Sequence, residues 1–316
     1  DPKPEKTDVA STGILLDTAE VSTVIWARSV KQDGVNWEQK VAPLQMTARV
    51  GKEPDAEPKP FSISIGPERE EGALHELGDT LVALLKAQHG TLPVGGWVAI
   101  RSPDLALQLS SSRRQSISAA AAVLASAAIS GREPDATILG VVDETGAFKL
   151  PTGFWGQLQA IGKGSGQRLI LPAAAAEFLP SMLALERPQL FFEHEVLLAS
   201  NFQELVALST KTPDVSIAKS LASFREIREK AGTQPLGQYV ANSFVRRRLV
   251  DIVQTAPCHF SAKMLAIQGA GNRPIYVTRS VLAAELNRAI EPMEWIMRQG
   301  YPHLTPPQLD RLGSTY

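Results

Sequence analysis

The segment 116–131 constrains the fold more than any other part of this sequence. It consists of serine, alanine, valine, leucine and isoleucine and ends in Gly131, which Arg132 follows. Such a segment predicts a buried helix that stops at the glycine, and its small side chains let neighbouring backbone approach closely. Its longest apolar run, 119–129, is too short to cross a bilayer, which takes about 20 residues. The rest of the chain must therefore supply the layers that bury this helix.

The overall composition is typical of a globular protein. Of the 316 residues, 44% are hydrophobic and 21% are charged, and at about 100–200 residues per domain the length predicts two domains, or one large domain with an appendage. The formal net charge of -1 excludes a strong overall field toward nucleic acid or anionic membranes. The polar start at 1–6 is compatible with a cytoplasmic chain and with a secreted or periplasmic one after signal removal, so the compartment stays open.

The order of patterns predicts an α+β first part and a helical second part. Residues 14–65 are β-like, with two apolar runs on either side of Asp33-Gly34, and leucine spacing predicts a helix over 70–89. Later elements are predicted as strands at 97–100, 137–142, 168–172 and 191–196, and as helices at 154–161, 202–208, 216–230, 235–255 and 278–299. We therefore predict a disordered lead at 1–13, an α+β domain at 14–210 and a helical extension at 211–316.

Metal and nucleotide sites are not expected. The five histidines lack the helical spacing of a zinc motif, and the single cysteine, Cys258, excludes a Cys-rich zinc site and an intramolecular disulfide. The glycine-rich segment 162–166 lacks the first glycine of a P-loop, because Gln157 occupies that position. The arginines at 246–248 lie on different faces of a predicted helix, which favours solvent or a protein contact over phosphate. No cofactor, metal ion or nucleic-acid partner is therefore predicted.

Ser116 is the candidate of greatest chemical interest, because it lies where a polar segment enters the small-residue helix. A helix N-terminus presents backbone N–H groups that stabilise developing oxyanion charge, so a serine there suits nucleophilic catalysis. A simple N-cap is the alternative role, and Ser112 could fill it equally well. The local sequence leaves both roles open.

Three segments together resemble the proteolytic domain of Lon-family ATP-dependent serine proteases. The run from Ser116 through Gly131-Arg132 is similar to the helix that carries the family's nucleophilic serine. Residues 140–153, which end in Leu-Pro-Thr-Gly, are similar to a hairpin that ends in Leu-Pro-Ile-Gly-Gly, and 168–172 resembles the strand that follows. The resemblance implies an α+β, Lon-type proteolytic-domain fold over 14–210, with a C-terminal helical extension beyond it.

The resemblance also implies a Ser-Lys dyad, in which a lysine takes the serine proton. It assigns the nucleophile to Ser116, but the lysine position is occupied by Gly156, which cannot accept a proton. The family precedes its serine with Asp-Gly-Pro, whereas Arg-Arg-Gln precedes Ser116 here. Lys149 lies on the predicted hairpin, and Lys163 lies about two helical turns beyond Gly156. The family's separate ATPase module would need a P-loop, and we expect none within these residues.

Three functions follow as hypotheses. A catalytically degenerate Lon-protease-like protein would bind a protein or peptide partner or build an assembly without cleaving, and analogy with the family predicts self-association. An active Lon-type serine endopeptidase would use Ser116 with a non-standard base. A binding module unrelated to the family would use its helical segment, 211–316, as the binding element.

Overall fold

The structure is a computed structural model that describes residues 18–30, 37–52, 60–65, 75–101, 116–161, 166–298 and 305–307. It is a mixed α+β fold, which confirms the predicted class. Among these residues, no helix combines the length and the apolar character that a membrane span requires. The predicted disordered lead, 1–13, lies outside the described residues.

Seven of the described strands form one mixed sheet in the order β3-β4-β2-β1-β5-β8-β9. The strands are β1 Thr18–Val30, β2 Trp37–Lys52, β3 Ser62–Ile65, β4 Gly96–Arg101, β5 Thr137–Ile138, β6 Val141–Val142, β7 Phe148–Lys149, β8 Arg168–Pro172 and β9 Glu195–Ala199. β1 and β2 pair antiparallel along the whole of β1, which confirms the hairpin predicted around Asp33-Gly34, a turn outside the described residues. β1, β5, β8 and β9 run parallel, and β6 and β7 form a separate hairpin.

Helices cover both faces of the sheet. They are α1 His75–His89, α2 Ser118–Ser130, α3 Phe154–Ala160, α4 Pro180–Ala184, α5 Gln189–Glu193, α6 Phe202–Ser209, α7 Val215–Ala231, α8 Leu236–Ala241, α9 Ser243–Thr255, α10 Phe260–Gly269 and α11 Arg279–Arg298, with a 3-10 helix at Ala173–Glu177. α1, α2 and α6 share one apolar core with β1 and β2. α3 and helices from the second half of the chain share another core with β8 and β9.

α2 confirms the prediction of a buried small-residue helix. All of its residues from Ser118 to Ala128 are buried, and it packs across β1, β2 and β4. Gly131 ends it in the left-handed conformation, with φ of 69°, and its N–H bonds to the Ala127 carbonyl at 2.9 Å. Glycine adopts this conformation without the strain that a Cβ atom would add, so the stop predicted from the sequence has its expected cause.

The helices after residue 211 bury apolar residues in the same core as β8 and β9. Phe224, Leu249 and Leu265 belong to that core, together with Leu169 and Leu171 of β8. Alternate residues of β8 point to opposite faces, so its two leucines face these helices. The segment predicted as a helical extension therefore packs on the sheet, and the domain boundary near residue 211 stays a prediction.

Three local predictions were wrong. The expected single strand at 137–142 is two strands, β5 and β6, which belong to different sheets and are separated by Leu139 and Gly140. The expected strand at 191–196 is instead the end of α5 followed by β9, because Pro188 stands at a helix N-terminus and a short apolar run suits either structure. The expected single helix at 235–255 is two helices, α8 and α9. Asn242 separates them with an extended backbone, and its side chain accepts hydrogen bonds from the N–H groups of Phe244 and Val245.

Candidate functional site

Ser116 lies two residues before Ser118, where α2 begins, and is 6% exposed. Its backbone is already helical, and the N-cap of α2 is Ile117, which has helical dihedral angles and no capping side-chain bond. The N-cap position of α2 is therefore Ile117, and the cap role of Ser116 stays a prediction. Ser112 lies outside the described residues. The nucleophile role of Ser116 remains a prediction.

The start of α2 is attached to the β6–β7 hairpin. The Ser118 hydroxyl oxygen accepts a hydrogen bond from the Val142 backbone N–H at 2.9 Å, and both residues are buried. α3 begins shortly after β7, where the Phe154 N–H bonds to the Pro151 carbonyl at 3.1 Å. Gly153 precedes α3 with a φ of 71°, a conformation that favours glycine. The two helices that the resemblance assigns to a dyad thus start beside one hairpin.

Gly156 lies in the first turn of α3 and is half-buried. The side chains next to it bond to α11. The Trp155 indole N–H donates to Glu285 Oε1 at 2.8 Å, and the Gln159 amide donates to the same oxygen. Arg187 Nη1 lies 3.9 Å from this carboxylate. α3 therefore offers no proton acceptor at position 156, and α11 holds one of its faces.

Lys149 is the described lysine nearest in sequence to the predicted base. Its Nζ lies 2.5 Å from Asp143 Oδ2, and the side chain is exposed. This contact, together with the Thr145 hydroxyl, holds the pKa of the Asp143 carboxyl well below its usual range. A lysine that serves as a general base sits in a dry, apolar pocket, which is the opposite environment. Lys163, the other lysine considered, lies outside the described residues.

A serine–histidine pair occurs elsewhere, between α1 and α2. His89 Nε2 lies 3.0 Å from the Ser126 hydroxyl oxygen, and burial lowers the pKa of the His89 imidazole. The distance suits a nucleophile and its base, but Ser126 is fully buried in the middle of α2. A substrate cannot reach that hydroxyl, so the pair joins two helices. Sequence reasoning missed it, because 37 residues separate the partners.

Neither comparison with known proteins supplies a relative. No family model matches this chain. No curated protein matches it either. The function of the protein therefore has to be argued from its own residues and their geometry.

A second group of buried polar residues lies at the opposite, amino-terminal edge of the parallel strands. Arg168 begins β8 and donates from Nη1 to the carbonyls of Leu208 at 2.9 Å and Thr210 at 2.7 Å. Glu195 begins β9 in register with Arg168, and Arg228 Nη2 lies 4.0 Å from its carboxylate. Burial raises the pKa of Glu195. These bonds fix α6 and α7 to the sheet, far from the β6–β7 hairpin.

His259 packs against α7, and Cys258 precedes it in the chain. Burial lowers the pKa of His259 to about 4, and its ring packs 4.6 Å from that of Phe224. Its Nδ1 accepts the Ala262 N–H at 3.3 Å and so caps α10. Cys258 is half-buried against the core, and burial raises the pKa of its thiol, as suits the small buried residue predicted.

A groove of about 230 Å³ also opens at this edge. Its lining includes Arg168 and the side chains of Glu20, Glu133 and Asp135. Across the described ranges, no group of three or more His, Cys, Asp and Glu side chains could hold a metal ion. Sequence reasoning did not select this groove, because its residues come from four separate segments and carry no common motif.

Proposed function

We propose that this chain is a catalytically degenerate relative of Lon-type proteolytic domains that acts in protein binding or assembly. Gly156 carries this proposal, because it stands where the family has the lysine that activates the serine. Glycine has no side chain that could take the serine proton, so the lysine-based activation that the family uses is missing at this position.

The surroundings of both dyad positions support the proposal. Ser116 is 6% exposed, and the neighbouring Ile117 is fully buried, so an extended peptide has little access to the hydroxyl. Glu285 engages Trp155 and Gln159 on either side of Gly156, which leaves that part of α3 packed against α11. Lys149 is exposed and paired with Asp143, as described above. These features suit a scaffold better than an enzyme.

Proteolysis assays test the proposal directly. The purified wild type, Ser116→Ala and Gly156→Lys are incubated with casein and with a fluorogenic peptide, and the wild type is treated with a fluorophosphonate probe. We expect no cleavage and no probe on Ser116. We expect Gly156→Lys to remain poor as well, since a new lysine must be placed within a fraction of an ångström of its working position.

A matched control separates this serine from a contaminating protease. Ser126→Ala removes a different serine of α2, so cleavage that persists equally in Ser116→Ala and Ser126→Ala does not come from Ser116. Cleavage and probe labelling that disappear only in Ser116→Ala would overturn the proposal. That outcome would establish the alternative, an active Lon-type serine endopeptidase with a non-standard base.

A further inference from the structure

α11 buries little of its own surface. Its described side chains are those of residues 279–287, 289 and 290, and among them Val281 alone is buried, while Ala284 and Glu285 are half-buried. A helix in a globular protein owes most of its stability to the apolar surface that it buries against its neighbours. α11 therefore draws little free energy from burial, and elements of this kind open more easily than the core.

The first turn of α11 is the part that is anchored. The Thr278 N–H donates to the Ser181 hydroxyl oxygen at 3.2 Å, and Thr278 Oγ1 accepts the Val281 N–H at 3.3 Å. Val281 belongs to the apolar core around β8 and β9. Shortly before the helix, Arg273 Nη2 lies 3.1 Å from Glu186 Oε1. These contacts lie at or before position 281, so they hold the beginning of α11 and not its later turns.

One turn further on, Glu285 makes polar contacts with α3. Its Oε1 accepts the Trp155 indole N–H at 2.8 Å and a Gln159 amide N–H, and Arg187 Nη1 lies 3.9 Å from the same oxygen. Hydrogen bonds to a carboxylate are roughly twice as strong as bonds between neutral groups. After Glu285, the described side chains of α11 up to Ile290 are all exposed. The contact at Glu285 is thus the last one in the described part of the helix.

We propose that α11 is a latch over α3, which is held shut by Glu285 and opens about the anchored turn at 278–281 while the rest of the chain stays folded. The described polar contacts between the two helices meet at one carboxylate, so losing them frees the later turns of α11 and leaves Val281 in the core. Opening uncovers Trp155 and Gln159, which flank Gly156. The latch therefore controls access to α3 at the position that the Lon-type resemblance assigns to the lysine.

The chemistry of this contact suits a latch better than a permanent helix–helix seam. A permanent seam interlocks apolar side chains from both helices, whereas here a carboxylate meets an indole and an amide. Water can hydrate all three groups when α11 leaves, and the Glu285 side chain is already 24% exposed in the closed form. Because protein bonds are exchanged for water bonds, a hydrogen bond to a charged group shifts such an equilibrium by only about 10- to 100-fold.

Hydrogen exchange of the full chain, followed by mass spectrometry, tests the latch. An undocked helix of this length is marginally stable in water, so its amides exchange when it opens. Peptides from α11 after Glu285 should exchange at least about 100-fold faster than peptides from α10, whose side chains are mostly buried in the same core. The comparison uses one sample, so both helices experience the same conditions.

Three variants locate the hold at Glu285. Glu285→Ala removes the acceptor and should speed exchange in α11 by about another tenfold or more, with α10 unchanged. Trp155→Phe keeps a buried ring but removes the indole N–H, so it should give a smaller increase in the same helix. Glu229→Ala removes an exposed glutamate of α7 and should leave exchange in α11 as it is in the wild type.

Three results would overturn the inference. If α11 of the wild type exchanges as slowly as α10, the helix opens only when the whole chain unfolds. If Glu285→Ala leaves exchange in α11 unchanged, the carboxylate does not hold the helix. If Glu285→Ala fails to fold, or speeds α10 as much as α11, and Glu285→Gln does the same, the contact belongs to the cooperative core. The proteolysis assays bear on none of these results, so the latch and the proposed function can fail separately.

Discussion

We expect the protein to lose stability in mild acid because of the buried His259. In the folded chain burial lowers its pKa to about 4, from an ordinary value of 6.5, and the cation of Arg228 also disfavours its protonated form. As the pH falls below 6.5, the unfolded chain takes up a proton that the folded chain excludes until about pH 4. The stability that depends on a neutral His259 is therefore complete above pH 6.5 and is lost between pH 6.5 and 4.

The magnitude follows from these two pKa values. Between pH 7.5 and pH 5.0, His259 should lower the free energy of unfolding by about 2 kcal/mol, since each pH unit inside the interval costs about 1.4 kcal/mol. Urea unfolding at both pH values, followed by tryptophan fluorescence, gives the free energy. His259→Asn removes the titration and keeps a side-chain oxygen that can accept the Ala262 N–H.

Comparing the pH dependence of stability in the wild type and in His259→Asn isolates the contribution of His259. Glu195 and His89 also have shifted pKa values, but both groups remain in wild type and variant, so their contributions cancel to first order. The variant should be less stable at pH 7.5, because its smaller side chain loses contact with Phe224. Between pH 7.5 and pH 5.0, the free energy of unfolding of the variant should fall by about 2 kcal/mol less than that of the wild type. Parallel pH profiles for the two proteins would refute the reasoning.

Two further predictions concern packing and a buried hydrogen bond. A Cβ atom on Gly269 would lie 2.8 Å from the Val240 carbonyl carbon and closer to its oxygen, so Gly269→Ala should destabilise by about 1–3 kcal/mol in urea unfolding. Gly237→Ala, whose Cβ would meet nothing within 4 Å, should be neutral or stabilising by up to about 1 kcal/mol, and equal effects would contradict this contrast. Ser118→Ala should cost about 1–3 kcal/mol, because it leaves the buried Val142 N–H without its acceptor, and an unchanged urea midpoint would disprove that bond's contribution.

Local sequence determined much of the secondary structure. The small-residue helix stops at Gly131, and the two apolar runs before and after Asp33-Gly34 form paired strands, because both signals act within a short stretch of the chain. The local sequence did not determine the secondary structure at 191–196, because a short apolar run is compatible with a helix or a strand. The identity of Gly156 was also available from the sequence, and with it the expectation that the base is missing.

The tertiary structure alone decided which polar groups meet. Glu285 reaches Trp155 across 130 residues of chain, and His89 reaches Ser126 across 37. Neither pair has a local signature, because any buried donor or acceptor needs some partner and the topology determines which one it finds. The same holds for the two sides of α11. Its apolar positions are plain in the sequence, but only the packed structure distinguishes the buried Val281 from the exposed Leu282 and Leu286.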